Sequence, residues 1–316
     1  MKTLPALLGF CLGCLCFCGL CFSCKHLPSP PALSLEGTAL DLWTDGDMLF
    51  VWGRVEGQRA RVLFSSVELG STLTGNKACV VGQSAGKVWA GGKERETIRL
   101  KNGSVEGKAL GSMEVALVEA WEASTASPAK LQRLRDGFVL EEDDTQCLLV
   151  VGALHMGVLQ LVFERGRLRF EGAEFVAEGK RIRFEEHLHL GIPFGQFMAV
   201  MNGKKIPLRL VLETSRWPSY LHETFSSGPS MAQDKLPWEA LWLSLEAVLP
   251  EGSFELQAAA ALQRYWPWAE GSVGMKAFEC CRLVWSPRQG VATVQWLPQA
   301  HGKGCGREGE GEGAEG

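Results

Sequence analysis

The sequence predicts an all-β fold built from two copies of one strand-rich unit, and three observations carry that prediction. Short runs of alternating apolar and polar residues recur along the chain with glycines between them, the period of strands that have one face inside. No long stretch shows the apolar spacing of an amphipathic helix. Four segments of similar pattern also occur twice, in the same order.

The first recurring pair is an apolar strand running into a polar elbow. One copy is Ala60-Arg61-Val62-Leu63-Phe64 followed by Ser65-Ser66-Val67, after the turn Val55-Glu56-Gly57-Gln58. The other is Ile206-Pro207-Leu208-Arg209-Leu210-Val211-Leu212 followed by Glu213-Thr214-Ser215, after the hairpin signal Asn202-Gly203. Farther on, Val151-Gly152-Ala153-Leu154 matches Val273-Gly274-Met275-Lys276, and Leu159 to Phe163 matches Cys281 to Trp285. Closing runs then follow at Arg165 to Phe170 and Arg288 to Val294. The elbows are 148 residues apart (213 − 65) and the later segments 122 (274 − 152), so the copies carry unequal insertions.

The 316 residues, 46% of them apolar, suffice for one large domain or two ordinary ones. A net charge of −4 without a basic stripe excludes a nucleic-acid partner, which would need cations against its phosphates.

In chain order, residues 1–23 read as a signal peptide or an N-terminal anchor: Lys2, then an uncharged apolar run from Leu4 to Phe22. Six of the eleven cysteines lie in this stretch and just after it. Ser23-Cys24 is similar to a bacterial lipoprotein cleavage site, with Cys21 where leucine is usual, and makes Cys24 the expected lipidation residue. An uncleaved membrane helix is the alternative, since the run is about long enough to span a bilayer. Metal or haem ligation by Cys21 and Cys24 is set aside, because a removed or lipid-buried segment offers no folded site. Residues 24–36, with Pro28, Pro30 and Pro31, read as a tether.

Strands are then expected at Met48 to Val55, Ala60 to Phe64, Thr97 to Leu100, Val115 to Val118 and Cys147 to Val151. The glycines of Gly86-Lys87-Val88-Trp89-Ala90-Gly91-Gly92 suit a hairpin tip. The first unit spans 37–180 and ends in the charged stretch Glu171 to Glu186, with a turn at Glu178-Gly179-Lys180. The second spans 181–298. Residues 299–316, rich in Gly and Glu, have nothing to bury and read as a disordered tail. His187, His189 and His222 read as solvated or hydrogen-bonded rather than as metal ligands, having no carboxylate or cysteine nearby; no metal or cofactor is expected. Trp238, Trp242, Trp266 and Trp268 read as core and interface packing rather than a ligand groove. The pairing of Cys79, Cys147, Cys280, Cys281 and Cys305 stays open.

The strand and elbow at Ile206 to Ser215 resemble the active-site strand of retropepsin-like and pepsin-like aspartic proteases. In that family a hairpin and an apolar strand lead into Asp-Thr-Gly. The resemblance covers most of residues 48 to 298 and implies a two-lobed pepsin-like β architecture. One elbow from each lobe would then stand at the floor of a cleft, with residues 86–92 as its flap. The chemistry departs from the family. Ser65 stands where one aspartate is needed, and a hydroxyl cannot share a proton with a carboxylate near neutral pH. Glu213 keeps a carboxylate but displaces it by about 1 Å, enough to cost about a hundredfold in rate. Val67 and Ser215 replace the glycines, while Ser66 and Thr214 keep the hydroxyls that brace the elbows in the family.

The expected function is therefore a non-catalytic aspartic-protease homologue in the bacterial envelope or periplasm. It would be exported and anchored through a lipid or a helix, and would bind an extended peptide or partner protein in its cleft. Two alternatives stand beside it: an active peptidase using Glu213 with Asp41, Asp45 or Asp47 as the acid, and a structural envelope lipoprotein without a ligand.

Overall fold

The computed structural model describes residues 33–45, 48–75, 79, 82–90, 93–118, 147–183, 185–186, 192–201, 204–221, 241–249, 252–260 and 269–297. The chain divides into two units, Met1–Pro30 and Pro31–Gly316. The first unit lies outside the described residues, and with it the signal segment and Cys24. The tail, His187, His189, His222, Trp238, Trp266 and Trp268 lie outside them too.

The described body is all-β, as expected. Its strands are β1 (Ala39–Asp41), β2 (Trp43–Asp45), β3 (Met48–Val55), β4 (Gln58–Phe64), β5 (Ser71–Thr74), β6 (Gln83–Ala90) and β7 (Lys93–Val105). There follow β8 (Lys108–Leu117), β9 (Cys147–Val151), the one-turn helix α1 (Ala153–Met156), β10 (Gln160–Glu164), β11 (Arg167–Glu171), β12 (Lys180–Arg183) and β13 (Glu185–Glu186). The last are β14 (Pro193–Met201), β15 (Lys204–Glu213), β16 (Ser219–Leu221), β17 (Leu241–Leu249), β18 (Gly252–Ala260), β19 (Gly271–Gly274), a 3₁₀ turn (Met275–Phe278), β20 (Cys281–Ser286) and β21 (Val291–Trp296).

These strands form three sheets. An eight-stranded sheet runs β2-β3-β4-β9-β5-β8-β7-β6, and its β3 also pairs with β7, which curls the sheet closed. A seven-stranded sheet runs β13-β14-β15-β19-β16-β18-β17 and is closed by β14 on β17. The third sheet, β1-β11-β10-β20-β21-β12, takes strands from early and late in the chain. Where β10 meets β20, Val162 lies opposite Val284. Beside this pair Arg282 grips Glu164 through two nitrogens, at 2.7 and 3.2 Å, and that hydrogen bond holds the Glu164 carboxyl below its usual range.

Local sequence explains the turns. Val55 pairs with Gln58 across Glu56-Gly57, both at positive φ (47° and 85°), the primed turn whose twist suits a two-residue hairpin. Met201 pairs with Lys204, while the hairpin signal Asn202-Gly203 itself lies outside the described residues. The strands expected at Met48 to Val55 and Cys147 to Val151 have those bounds. The one expected at Thr97 to Leu100 is the middle of a 13-residue strand, because β7 runs on to pair with β6 on one side and β8 on the other. The Gly86 region lies on a hairpin of β6 and β7.

One contiguous apolar core runs from Leu33 and Leu35 through Val62, Leu149, Phe163 and Leu212 to Val294. Leu33 and Leu35, at the end of the proline-rich stretch, already belong to it, so the packed body begins inside the stretch read as tether. Cys79, five residues beyond the end of β5, forms a disulfide with Cys147 at the start of β9. Cys280 is disulfide-bonded as well, while Cys281 is a free, buried thiol pushed up to about 12 by desolvation and therefore unreactive.

Candidate functional site

The site is assembled by two parallel strand pairs. Strand β4 pairs with β9, setting Phe64 opposite Val151, and β15 pairs with β19, setting Leu212 opposite Val273. A glycine follows β9 directly and another ends β19, and each lets another backbone come close. A Cβ on Gly152 would sit 2.3 Å from the Gly70 carbonyl oxygen, and one on Gly274 would sit 2.1 Å from that of Pro218. Hydrogen bonds fasten the turns there: the Ala153 and Leu154 N–H groups donate to the Glu68 and Leu69 carbonyls, and those of Met275 and Lys276 to the carbonyls of Arg216 and Trp217.

The two elbows meet and are buried. The Ser66 N–H donates to Thr214 Oγ1 at 3.0 Å, and the Thr214 N–H donates to Ser66 Oγ at 3.1 Å. Each hydroxyl also donates across, Ser66 Oγ to the Leu212 carbonyl at 2.5 Å and Thr214 Oγ1 to the Phe64 carbonyl at 2.7 Å. Beside them Ser215 Oγ donates to Ser65 Oγ at 3.4 Å. The structure thus joins Ser65 and Ser66 of one elbow to Thr214 and Ser215 of the other, while Val67 and Glu213, on the same elbows, make their contacts elsewhere.

Sequence reasoning missed Arg216. Its Nε donates to Glu213 Oε1 at 2.6 Å, and both side chains are buried, 2% and 3% exposed. The guanidinium also lies 5.6 Å from the Tyr220 ring centre. Three residues after a carboxylate, an arginine reads as an ordinary surface partner. Here the turn is drawn inward, since Leu49 N–H donates to the Ser215 carbonyl and Met48 bridges Arg216. Val67 is likewise committed, packing with Ile192, Val211, Ala269 and Phe194.

The arrangement has little to offer acid/base chemistry. The Glu213 carboxyl is engaged by the buried Arg216 guanidinium, and the opposite elbow presents serine hydroxyls. The remaining acidic candidates face elsewhere. Asp41 pairs with Arg167 at 3.1 Å and Asp45 with Arg61 at 2.7 Å, both half in solvent, while Asp47 lies outside the described residues. Among the described residues no three His, Cys, Asp or Glu side chains cluster as metal ligands would, and no helix is long and apolar enough to cross a membrane.

Trp242 lies on β17, in register with Ala259. Neither a family model nor a curated protein matches this sequence.

Proposed function

We propose that this chain is a tandemly duplicated, pepsin-like aspartic-protease homologue that has lost its catalytic pair and binds an extended peptide or partner protein between its two lobes. The duplication is supported by strand order. Reading β2-β3-β4-β9-β5-β8-β7 against β13-β14-β15-β19-β16-β18-β17 gives matching neighbours, parallel pairs and closures, with β6 as the extra strand. The register agrees as well. Phe64 and Leu212 are 148 apart (212 − 64), Val151 and Val273 are 122 apart (273 − 151), and those are the two spacings of the recurring sequence segments. Val162 and Val284, which face each other in the third sheet, are also 122 apart (284 − 162), as a two-fold between the copies requires.

The single observation that carries the loss of catalysis is the buried Glu213–Arg216 pair on one elbow, while the other elbow holds Ser65 and Ser66 instead of a second carboxylate. An aspartic protease needs two carboxyls sharing one proton, and Glu213 is bound to a cation instead. Val67 adds to this by filling the glycine position with apolar packing. Export to an oxidising compartment accords with the Cys79–Cys147 disulfide. The anchor is assigned to Cys24 or to the apolar run before it.

The test combines cleavage and binding on the full chain. A mixed peptide library at acid pH should yield no cleavage, while immobilised extended peptides should retain the protein. Acid-dependent cleavage would establish the peptidase reading instead. Neither cleavage nor retention would leave the structural lipoprotein. Labelled palmitate should mark the parent but not Cys24→Ala, and unchanged labelling would move the anchor to another cysteine.

A further inference from the structure

His155 is buried, 6% exposed, and lies outside the two elbows. Its Nδ1 lies 2.8 Å from Ser71 Oγ, and that hydroxyl also accepts the Gly152 N–H at 3.0 Å. A serine hydroxyl has one hydrogen. Gly152 uses one of the oxygen's two lone pairs, and in the neutral tautomer with the ring proton on Nε2 the hydroxyl hydrogen goes to Nδ1.

The other elbow supplies an internal comparison. There Gly274 N–H donates to Ser219 Oγ at 3.0 Å, the same backbone-to-hydroxyl bond, but the third residue after the glycine is Ala277 rather than a histidine. The hydroxyl bond thus serves the turn in both places, and the imidazole is an addition at one of them.

We propose that His155 is an acid-sensitive latch, whose protonation reverses the Ser71 hydroxyl bond, leaves the hydroxyl hydrogen without its acceptor and loosens α1 together with the Glu68-Leu69 turn to which it is tied. A protonated ring turns Nδ1 into a donor. Ser71 Oγ must then accept from both Gly152 and His155, and its own hydrogen loses its acceptor in a buried place. The charge itself is also taken out of water.

The groups around the ring decide the sign. From β5 the ring meets Ser71, which is uncharged. From β8 the Glu114 carboxylate attracts an imidazolium, but it is half exposed and paired with Arg99 at 2.5 Å, so its pull is shared and screened. From the elbow comes Glu68, whose carbonyl accepts the Ala153 N–H. Desolvation outweighs the Glu114 attraction and holds the imidazole below its ordinary 6.5. The latch is therefore fully closed above about pH 6.5 and opens as pH falls from there through the lowered value. This holds whether or not the body binds a peptide.

Consequences follow for the surface. Helix α1 carries Leu154, 48% exposed, beside Leu69, also 48% exposed, on the outside of the turn, so opening the latch enlarges an apolar patch that already exists.

Amide hydrogen exchange on the full chain, corrected for intrinsic rates, tests this at about pH 7.5 and about pH 5. The Ala153 and Leu154 amides should lose protection on acidification, by about tenfold for each unit by which the imidazole is depressed. The Met275 and Lys276 amides, which hold the equivalent bonds to Arg216 and Trp217, should keep theirs. His155→Asn, whose Oδ1 can accept the Ser71 hydroxyl without titrating, should abolish the difference. A parallel loss at both pairs of amides, or an unchanged pH response in His155→Asn, would overturn the proposal. Should that variant fail to fold, the parent decides: an imidazole midpoint, read by nuclear magnetic resonance, that lies below 6.5 and coincides with the loss of Ala153 and Leu154 protection supports the latch, and a midpoint at or above 6.5 or a loss that does not follow it sinks the idea.

Discussion

Ser66 and Thr214 hold each other reciprocally: each hydroxyl accepts the other's backbone N–H, at 3.1 and 3.0 Å, and each donates onward to a strand-end carbonyl of the facing elbow. Four buried backbone groups therefore depend on two side chains. Ser66→Ala or Thr214→Ala strands one N–H and one carbonyl, at about 1–3 kcal/mol per group. Because the two share one network, the double mutant should differ from the sum of the singles by about 0.5–3 kcal/mol. Urea denaturation of the four proteins measures this, and strict additivity would show that the hydroxyls act separately.

The Glu213–Arg216 pair makes a different prediction. Removing one member leaves a buried charge uncompensated, so Arg216→Met should destabilise by about 3–5 kcal/mol. Adding Glu213→Gln should recover most of that loss, because the second charge is then gone too. If both single variants are neutral in denaturant, the pair is solvated and the case against catalysis loses its main support. Acid-dependent proteolysis should be absent from Arg216→Met, since freeing one carboxylate does not supply a second.

Reduction offers a third measurement. The Cys79–Cys147 disulfide has a sequence separation of 68, and closing a loop of that size in the unfolded chain is worth about 4 kcal/mol in the chain-entropy account. Cys79→Ser with Cys147→Ser should lower the denaturant midpoint accordingly while leaving the far-ultraviolet β signal intact. A loss below about 1 kcal/mol would mean that the unfolded chain is already held compact by other means.

Between β10 and β20 the Glu164–Arg282 grip predicts a pH dependence. The Arg282 hydrogen bond holds the Glu164 carboxyl below its ordinary 4.5, so its contribution is present above that value and lost as pH falls through the depressed one. Both groups are partly exposed, with side chains 22% and 30% accessible, which limits the stabilisation to about 1 kcal/mol. Arg282→Met should therefore narrow the stability gap between about pH 5 and about pH 2.5 relative to the parent. An identical acid profile in both proteins would show that the pair contributes nothing.

Much of this body was written in local patterns. Alternation marked β3 and β9 to their ends, and Glu56-Gly57 marked a two-residue hairpin, because strand period and turn conformation depend on a few adjacent residues. The six elbow residues were also legible, as two similar strand ends that each run into a polar turn.

What surrounds those elbows was decided only by the tertiary structure. Arg216 follows Glu213 closely in sequence, yet its burial depends on Met48 and Leu49, which are drawn in from β3. Val67 packs with Ile192 and Ala269, and Cys79 bonds Cys147, across separations that leave no mark on local composition. The same holds for β14 closing on β17 and for Val162 meeting Val284. A chain's periodicity fixes which face of each strand goes inside, but the entropy of closing a loop grows only slowly with its length. Many partners were therefore within reach of every strand, and packing chose among them.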